Sequence, residues 1–265
     1  MRGSHRAFMS SFGRSLARLH PLCSLDDVDW GISVRSRVDS PRALFSFCLP
    51  SQEMSGKDFP GRVANYLISR RENGVIWDFD ESGSRKNGFR DMGSHVEKLK
   101  SVQLMHLDLQ ENMPSCPDQG TVTVCRVGRE LHPGAFRAMH DVQSENFGVG
   151  ALGKEERCYV LEPTLFRSGK QCAVVVFFDG VPVASGVMWV EGQSACLFWI
   201  FCKEDFRGMG FGGQVVRELC RWAATRGCHE VLLQSTKDGK KLYTGLGFRY
   251  DGKLSRWMMR GAGLL

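Results

Sequence analysis

The sequence predicts an α+β fold in which a mixed, mostly antiparallel sheet is flanked by helices. Three observations support this prediction. Apolar β-like runs alternate with amphipathic helical segments through the second half of the 265-residue chain. A strong hairpin signal, Asp179-Gly180, joins two of those runs and makes them antiparallel. A glycine-rich turn, Gly208–Gly213, then separates an apolar, aromatic-rich strand from a helix, which is typical of folds that mix the two element types.

The bulk composition is that of an ordinary globular protein. Hydrophobic residues make up 42% of the chain and charged residues 24%, which excludes the collagen-like and disordered classes. The net charge of +6 and the pI near 8.8 favour an acidic partner, such as a phosphate-rich cofactor. We expect no nucleic-acid partner, because the sequence contains no long basic run. We expect no membrane partner either, because no apolar stretch has the length of a membrane span.

Cysteine is frequent for a chain of this size. The ten cysteines form no C-x-x-C pair, and several lie inside apolar runs. This pattern indicates small buried hydrophobic side chains in a reducing compartment, so we expect an intracellular protein of the cytoplasm or the mitochondrion. The sequence shows no His or Cys cluster at ligand spacing, and it predicts no metal site.

The chain is predicted to divide into three segments. Residues 1–28 are rich in arginine and serine and carry no acid before Asp26, so they form a basic tail, the remnant of an expression tag or a mitochondrial transit peptide. Residues 29–118 form an accessory domain, and residues 119–262 form the C-terminal domain. Between the two domains, Met113–Gly120 contains prolines and a glycine that break regular structure, which indicates a linker.

In residues 119–262 the periodicity predicts the order β-α-β-β-β-α-β-α-β. Pro133 stands in the first turn of the first helix, where its missing N–H is tolerated. The predicted bounds are Thr121–Val127, Ala135–Phe147, Cys172–Phe178, Val181–Val190, Ala195–Cys202, Gly212–Arg226, Glu230–Gln234, Asp238–Leu246 and Phe248–Met259.

Residues 29–118 give a weaker α/β pattern. Strands are predicted over Ile32–Val38, Val75–Phe79 and Val102–Leu109, and a helix over Phe59–Arg71. Glu81–Gly93 is polar and glycine-rich, which indicates a loop. No motif in this segment carries chemistry.

The glycine-rich turn is the motif that carries chemistry. A helix start has unpaired N–H groups and the positive end of the helix dipole, which favour anions. Glycines let the backbone approach phosphates closely, and Arg207 adds a full charge. The glycines also satisfy the G-x-G-x-x-G of dinucleotide-binding folds. That interpretation fits poorly, because Lys203–Arg207 is long and charged for such a turn and no acid ends the next strand, at Gln234-Ser-Thr236.

The segment Arg207-Gly-Met-Gly-Phe-Gly212 matches Arg/Gln-x-x-Gly-x-Gly/Ala, the pyrophosphate signature of the GNAT acetyltransferases. Lys241-Leu-Tyr-Thr-Gly-Leu-Gly-Phe248 is similar to that family's Leu-Tyr-x-x-x-Gly-Phe segment. The hairpin at Asp179-Gly180 looks like the family's second and third strands, and the order of all three segments agrees. Thr121–Met259 therefore resembles a GNAT domain.

The resemblance implies a GNAT fold and a bound acyl-CoA, with acetyl-CoA as the expected cofactor. In this family the strand before the loop splays from its neighbour, and the pantetheine arm lies in the gap, here against Ile200, Phe201 and Cys202. Thr236 falls where many relatives carry an asparagine that contacts the cofactor or the backbone. The residues expected to hold the pyrophosphate are Arg207, Gly208, Met209, Gly210, Phe211, Gly212 and Gly213.

The resemblance also suggests catalytic residues. Tyr243 aligns with the family tyrosine that protonates the departing thiolate, a role that a phenol can fill. Many relatives place a glutamate on the strand beside the pantetheine, but Ala195–Trp199 contains no acid here. Glu191, at the end of the preceding strand, is the nearest candidate for a general base.

The function predicted from these features is N-acyl transfer from acetyl-CoA to an amine by direct attack, with no covalent enzyme intermediate. The acceptor is a small-molecule amine or a protein amine, and the sequence specifies neither it nor the oligomeric state. The alternative is a catalytically weak or inactive GNAT-fold module that binds or scaffolds within a larger assembly. Two interpretations of the N-terminal half stay open: a degenerate second GNAT-like domain, or an accessory domain specific to this family.

Overall fold

The computed structural model describes residues 2–36, 46–51, 59–79, 88–92, 95–115, 122–130, 132–147 and 161–261. The chain divides into two compact units. The C-terminal unit covers residues 103–252, and the N-terminal unit covers residues 2–102 together with 253–265. The predicted domain boundary, between residues 118 and 119, lies outside the described residues, as does the predicted end at residue 262.

The regular elements are numbered in chain order. The helices are α1 (Arg2–Leu19), α2 (Phe59–Arg70), α3 (Pro133–Phe147), α4 (Pro163–Arg167), α5 (Phe211–Thr225) and α6 (Lys240–Gly245). The strands are β1 (Cys23–Val28), β2 (Gly31–Ser36), β3 (Phe47–Pro50), β4 (Asn73–Asp78), β5 (Val96–Lys98), β6 (Val102–Asp108), β7 (Val122–Val127), β8 (Gln171–Phe178), β9 (Val181–Glu191), β10 (Ser194–Cys202), β11 (Glu230–Ser235) and β12 (Arg249–Arg260).

The observed elements of the C-terminal half lie within a few residues of the predicted ones, and the predicted α+β class with a mostly antiparallel sheet is confirmed. In the N-terminal half, β2, α2, β4 and β6 were predicted. Strands β1 and β3 were not, because β1 is rich in acidic residues and β3 is only four residues long.

The N-terminal unit is built on a sheet with the order β1-β2-β3-β4-β12, in which β5 also pairs with β12. Strands β3 and β4 are parallel, and the other pairs are antiparallel. Helix α2 connects β3 to β4 and buries one apolar face, formed by Phe59, Val63, Ala64 and Leu67. A helix that crosses between parallel neighbours is the usual way to join them, because a tight turn cannot.

The C-terminal unit is built on a sheet with the order β6-β11-β10-β9-β8-β7. Strands β10 and β11 are parallel and joined through α5, whereas the other pairs are antiparallel. Helix α5 packs on β8, β9 and β10 through an apolar face that includes Val215, Leu219 and Ala223, all fully buried. Burying each such valine or leucine side chain stabilises the fold by roughly 1.5–3 kcal/mol.

The end of α5 is fixed by a glycine. Gly227 has φ 76°, and the N–H groups of Gly227 and Cys228 donate to the carbonyls of Ala224 and Ala223. This is the Schellman arrangement, which satisfies carbonyls that the helix leaves open and turns the chain toward β11.

The two units repeat one chain order. In the N-terminal unit β1, β2 and β3 are antiparallel neighbours, then α2 leads to β4, which is parallel to β3. In the C-terminal unit β8, β9 and β10 are antiparallel neighbours, then α5 leads to β11, which is parallel to β10. The connection from β3 to α2, residues 51–58, contains one glycine in its sequence, in contrast to the glycine-rich segment before α5.

The N-terminal segment forms a packed helix. Helix α1 lies against β1 and β2, and Phe8, Met9, Phe12 and Leu16 are buried. Gly13 permits this close approach, because a β-carbon there would lie 2.8 Å from Cγ2 of Val34. The described part of residues 1–28, predicted as a tail or transit peptide, is therefore part of the N-terminal unit. Within the described residues, no helix is both long and apolar enough to cross a membrane.

We expect Leu16→Ala to lower the free energy of unfolding by about 2–5 kcal/mol, because the leucine is fully buried and its loss leaves a cavity. The matched control is Arg18→Ala, on an exposed position of the same helix, with an expected change below about 0.5 kcal/mol. Urea unfolding measures both. Equal, small effects would show that α1 does not pack in solution.

Candidate functional site

The ladder between β10 and β11 ends before either strand does. Parallel partners run from Ser194 and Glu230 to Leu197 and Leu233. Beyond that point β11 continues to Ser235 and stays paired with β6, while β10 continues to Cys202. In the described part of the chain no strand pairs with residues 198–202 on this edge. Within the described residues, the backbone of Ile200 and Phe201 therefore has no strand partner on this edge, whereas the carbonyls of Trp199 and Cys202 accept hydrogen bonds from the side chains of Gln143 and Arg207.

A bulge accompanies this separation. The register between β10 and β9 shifts between Phe198 and Phe201, which are paired with Val187 and Ser185, so β10 carries one extra residue. Trp199 lies in the bulge with φ 52°, a left-handed conformation that costs about 1–2 kcal/mol for a residue with a β-carbon. A β-carbon on Gly186, in β9, would lie 2.4 Å from Cδ1 of Ile200 and 2.7 Å from Cγ1 of Val215, so any larger residue there would force both side chains to shift.

The segment after β10 forms an open turn and then a helix. Glu204–Phe206 form one turn of 3-10 helix. Gly208 and Gly210 follow with φ 81° and 90°, and Gly210 is the N-cap residue of α5. Within the described residues no side chain caps α5, and its first turn contains no acid. The first helical N–H groups and the helix dipole thus face an exposed turn, which favours an anion.

Arg207 stands at the rim of this turn. Its Nε donates to the carbonyl of Cys202 at 3.3 Å, and its guanidinium lies 5.9 Å from the ring centroid of Phe201. The side chain is exposed, and Glu204 is 3.8 Å away. These contacts hold the arginine over the end of β10 and leave its charge accessible. Met209, beside it, is exposed as well.

Residues 136–248 match the sequence model of the acetyltransferase (GNAT) family. The match contains the strand separation, the bulge and the open helix start. The C-terminal half of the chain contains a GNAT domain. The match of this domain to an acetyltransferase family supports acyl transfer as its general activity. A search of curated protein sequences finds no significant match to the chain.

Solved structures extend the similarity to both halves. A GCN5-related N-acetyltransferase from Kribbella flavida is 15% identical, with a TM-score of 0.67, and the match covers 98% of this chain and 96% of that one. A GCN5-related N-acetyltransferase from Sphaerobacter thermophilus is 13% identical, with a TM-score of 0.62 and coverage of 89% and 83%. A tandem GNAT protein from the clavulanic acid biosynthesis pathway is 12% identical, with a TM-score of 0.61 and coverage of 95% and 87%. At these identities the likeness concerns the fold.

Tyr243 lies on α6, within the core of the GNAT domain. It is 9% exposed, and its ring packs edge-on against Phe248 at a centroid distance of 5.7 Å. Among the described residues no hydrogen bond to its hydroxyl is found. Burial raises the pKa of Tyr243 to about 12, with a smaller contribution from Cys196 on β10. The phenol therefore stays protonated at neutral pH, as a proton donor requires.

Thr236 follows β11 directly and is exposed. Its Oγ1 accepts a hydrogen bond from the N–H of Gly239 at 3.1 Å, and its carbonyl accepts one from Oγ of Ser235. The threonine thus shapes the turn between β11 and α6, beside the gap.

The structure does not bring Glu191 to the gap. Glu191 is paired with Ser194, at the end of β10 opposite to the bulge, so about four residues or roughly 13 Å of strand separate it from Phe198. Its carboxylate is 8% exposed and accepts hydrogen bonds from Nζ of Lys170 at 2.9 Å and Nε1 of Trp189 at 2.8 Å. These contacts describe a structural carboxylate, and they could not be read from the sequence because Lys170 lies on another part of the chain.

The contact between Gln143 and the bulge could not be predicted from the sequence. Nε2 of Gln143 in α3 donates to Oγ of Ser185 and to the carbonyl of Trp199. A glutamine on a helix carries no signal of such a role, and neither does a tryptophan in an apolar strand.

We expect Glu191→Gln to lower the free energy of unfolding by about 1–2 kcal/mol, because the charged hydrogen bond to Lys170 is lost. Turnover should stay within about twofold of the unmodified protein, since a group this far from the gap does not take part in proton transfer. Urea unfolding and steady-state kinetics measure the two effects. If turnover by the variant were about 100-fold slower, the result would support Glu191 as the general base.

Proposed function

We propose that this chain transfers an acetyl group from acetyl-CoA to an amine, by direct attack of the amine on the thioester. The observation that carries the proposal is the end of the β10–β11 ladder at Leu197 and Leu233, followed along the chain by the rest of β10 and an uncapped helix start. A ligand with an extended arm that contains amide groups could lie along the end of β10, and a pyrophosphate could bind at the start of the helix. Acetyl-CoA contains both, joined in that order.

The residues present fit such a molecule. Gly208 has open space where a β-carbon would stand, so a phosphate could approach its backbone. The arm would lie against the backbone of Ile200, Phe201 and Cys202, and Thr236 would border it from the side of β11. The pyrophosphate would be held by Arg207, Gly208, Met209, Gly210, Phe211, Gly212 and Gly213.

Acetyl-CoA supplies an activated thioester, and the chain's own residues contribute position and a proton. Tyr243 is proposed as the general acid, because its phenol is protonated at neutral pH and lies on the helix beside the end of β11. Residues 198–202 contain no carboxylate, so the amine is proposed to arrive uncharged or to lose its proton to water.

The cysteines near the gap support direct attack over a covalent intermediate. Burial raises the pKa of the Cys202 thiol, although Arg207 lowers it in part. Burial also raises the pKa of Cys196. Thiols are weak nucleophiles unless they ionise, so neither side chain is prepared to accept an acyl group.

The N-terminal unit is proposed to be a degenerate GNAT-like module that supports the domain without binding a second cofactor. It repeats the chain order around α2, and the chain is similar over most of its length to a tandem GNAT protein. The acceptor is proposed to be a small-molecule amine or a protein amine.

We expect acetyl-CoA at about 100 times its Kd to raise the Tm by roughly 5–10 °C. Arg207→Glu should abolish the shift, because it places a negative charge beside the phosphates. The control is Arg249→Glu, on an exposed arginine of β12 outside the turn. Differential scanning fluorimetry measures all three proteins. A shift that survives in Arg207→Glu would place the cofactor elsewhere.

We expect Tyr243→Phe to slow turnover by about 100-fold while the affinity for CoA changes less than about twofold, because only the proton donor is lost. The Tm of the variant should not change, since no described group forms a hydrogen bond with the hydroxyl of Tyr243. Turnover on a panel of amines measures the change. Bound acetyl-CoA with no turnover on any amine, and no effect of this variant, would favour the binding or scaffold alternative.

A further inference from the structure

One buried side chain connects helix α3 to the bulge. Gln143 is 1% exposed, and its Nε2 lies 2.8 Å from Oγ of Ser185 and 2.8 Å from the carbonyl oxygen of Trp199. Ser185 belongs to β9 and is also fully buried. A single amide group therefore joins three elements at the point where β10 leaves β11.

The chemistry of these bonds is specific to the amide. A glutamine Nε2 carries two protons, and the two contacts use both of them. The Trp199 carbonyl that accepts one of them is directed toward α3 and away from a regular strand ladder. Because a left-handed tryptophan is unfavourable by itself, the surrounding structure must hold it.

We propose that Gln143 is a positioning residue of the acyl-CoA site. Its hydrogen bonds hold the bulge at Trp199, and the bulge holds residues 198–202 apart from β11. Gln143 acts through the backbone of β10 and does not itself contact the ligand. The part of this inference that concerns the ligand rests on the proposed function, whereas the effect on β10 does not.

A second contact between the same helix and the same strand end is weaker. Oε1 of Glu145 lies 2.7 Å from Nζ of Lys203, directly after β10, and Glu145 is exposed. Exposed ion pairs contribute little because water and salt screen them. The buried amide is therefore the contact expected to determine the position of β10.

The test compares Gln143→Leu with the unmodified protein by calorimetric titration of two ligands. CoA carries the pantetheine arm, and adenosine 3′,5′-bisphosphate does not. We expect CoA to bind about tenfold more weakly to the variant, the size of effect that a lost buried hydrogen bond produces. Adenosine 3′,5′-bisphosphate should bind within about twofold, because the turn at α5 is unchanged.

Ser185→Ala is the matched control. It removes one acceptor of Gln143 and leaves the bond to Trp199, so the affinity for CoA should change less than about threefold. Gln143→Glu is the second variant, of the same size but without amide donors. Its protonated carboxyl has one O–H donor, so the affinity for CoA should recover as the pH falls.

Hydrogen exchange without any ligand separates the two parts of the proposal. In Gln143→Leu the amides of residues 198–202 should exchange at least about tenfold faster, while those of residues 194–197, still paired with β11, should not change. Equal weakening of both ligands, or unchanged exchange at 198–202, would overturn the role of Gln143. If the unmodified protein binds no CoA, the proposed function fails, and the exchange rates alone decide the role of Gln143.

Discussion

The end of the parallel ladder between β10 and β11 is the constraint on which the site depends. Past Leu197 and Leu233 the two strands are no longer paired, and among the described residues no strand pairs with the rest of β10 on that edge. The same strand leads directly into the turn that begins α5. An edge for an extended arm and a positive helix start for an anion are therefore consecutive in the chain, and their alignment follows from connectivity.

This arrangement contributes to the proposed reaction mainly by positioning the reacting groups. The buried phenol of Tyr243 keeps its proton, and the thiols of Cys196 and Cys202 keep theirs, because burial raises the pKa of each group. Such a site can give a proton to a leaving group, but it offers no strong nucleophile of its own. These properties support the proposed transfer straight from a thioester to an amine over one through a covalent enzyme intermediate.

The features that could be predicted from the sequence are those that depend on local residue types. The glycines at 208 and 210 indicate positive φ, and the amphipathic pattern after them predicts α5. The bulge could not be predicted, because Trp199 has no intrinsic preference for a left-handed conformation and its partner Gln143 is 56 residues away. The position of Glu191 could not be predicted for a similar reason, since Lys170 joins it only in the folded sheet.

The organisation of the N-terminal half was also hard to predict. Its repeat of the β-β-β-α-β order lies in strand pairing, and the short strand β3 and the acidic strand β1 have weak patterns. Residues 255–260 pair with β4 and β5 although they are distant in sequence. Long-range pairing of this kind depends on register, which periodicity alone does not fix.

The most direct test of the proposed site is hydrogen exchange of the unmodified protein with and without acetyl-CoA. We predict protection of the amides of residues 198–202 and 207–213, and no change in β7, at the far side of the sheet. Binding without protection of 198–202 would contradict the proposed site, because the arm would then lie somewhere other than along the part of β10 that follows Leu197.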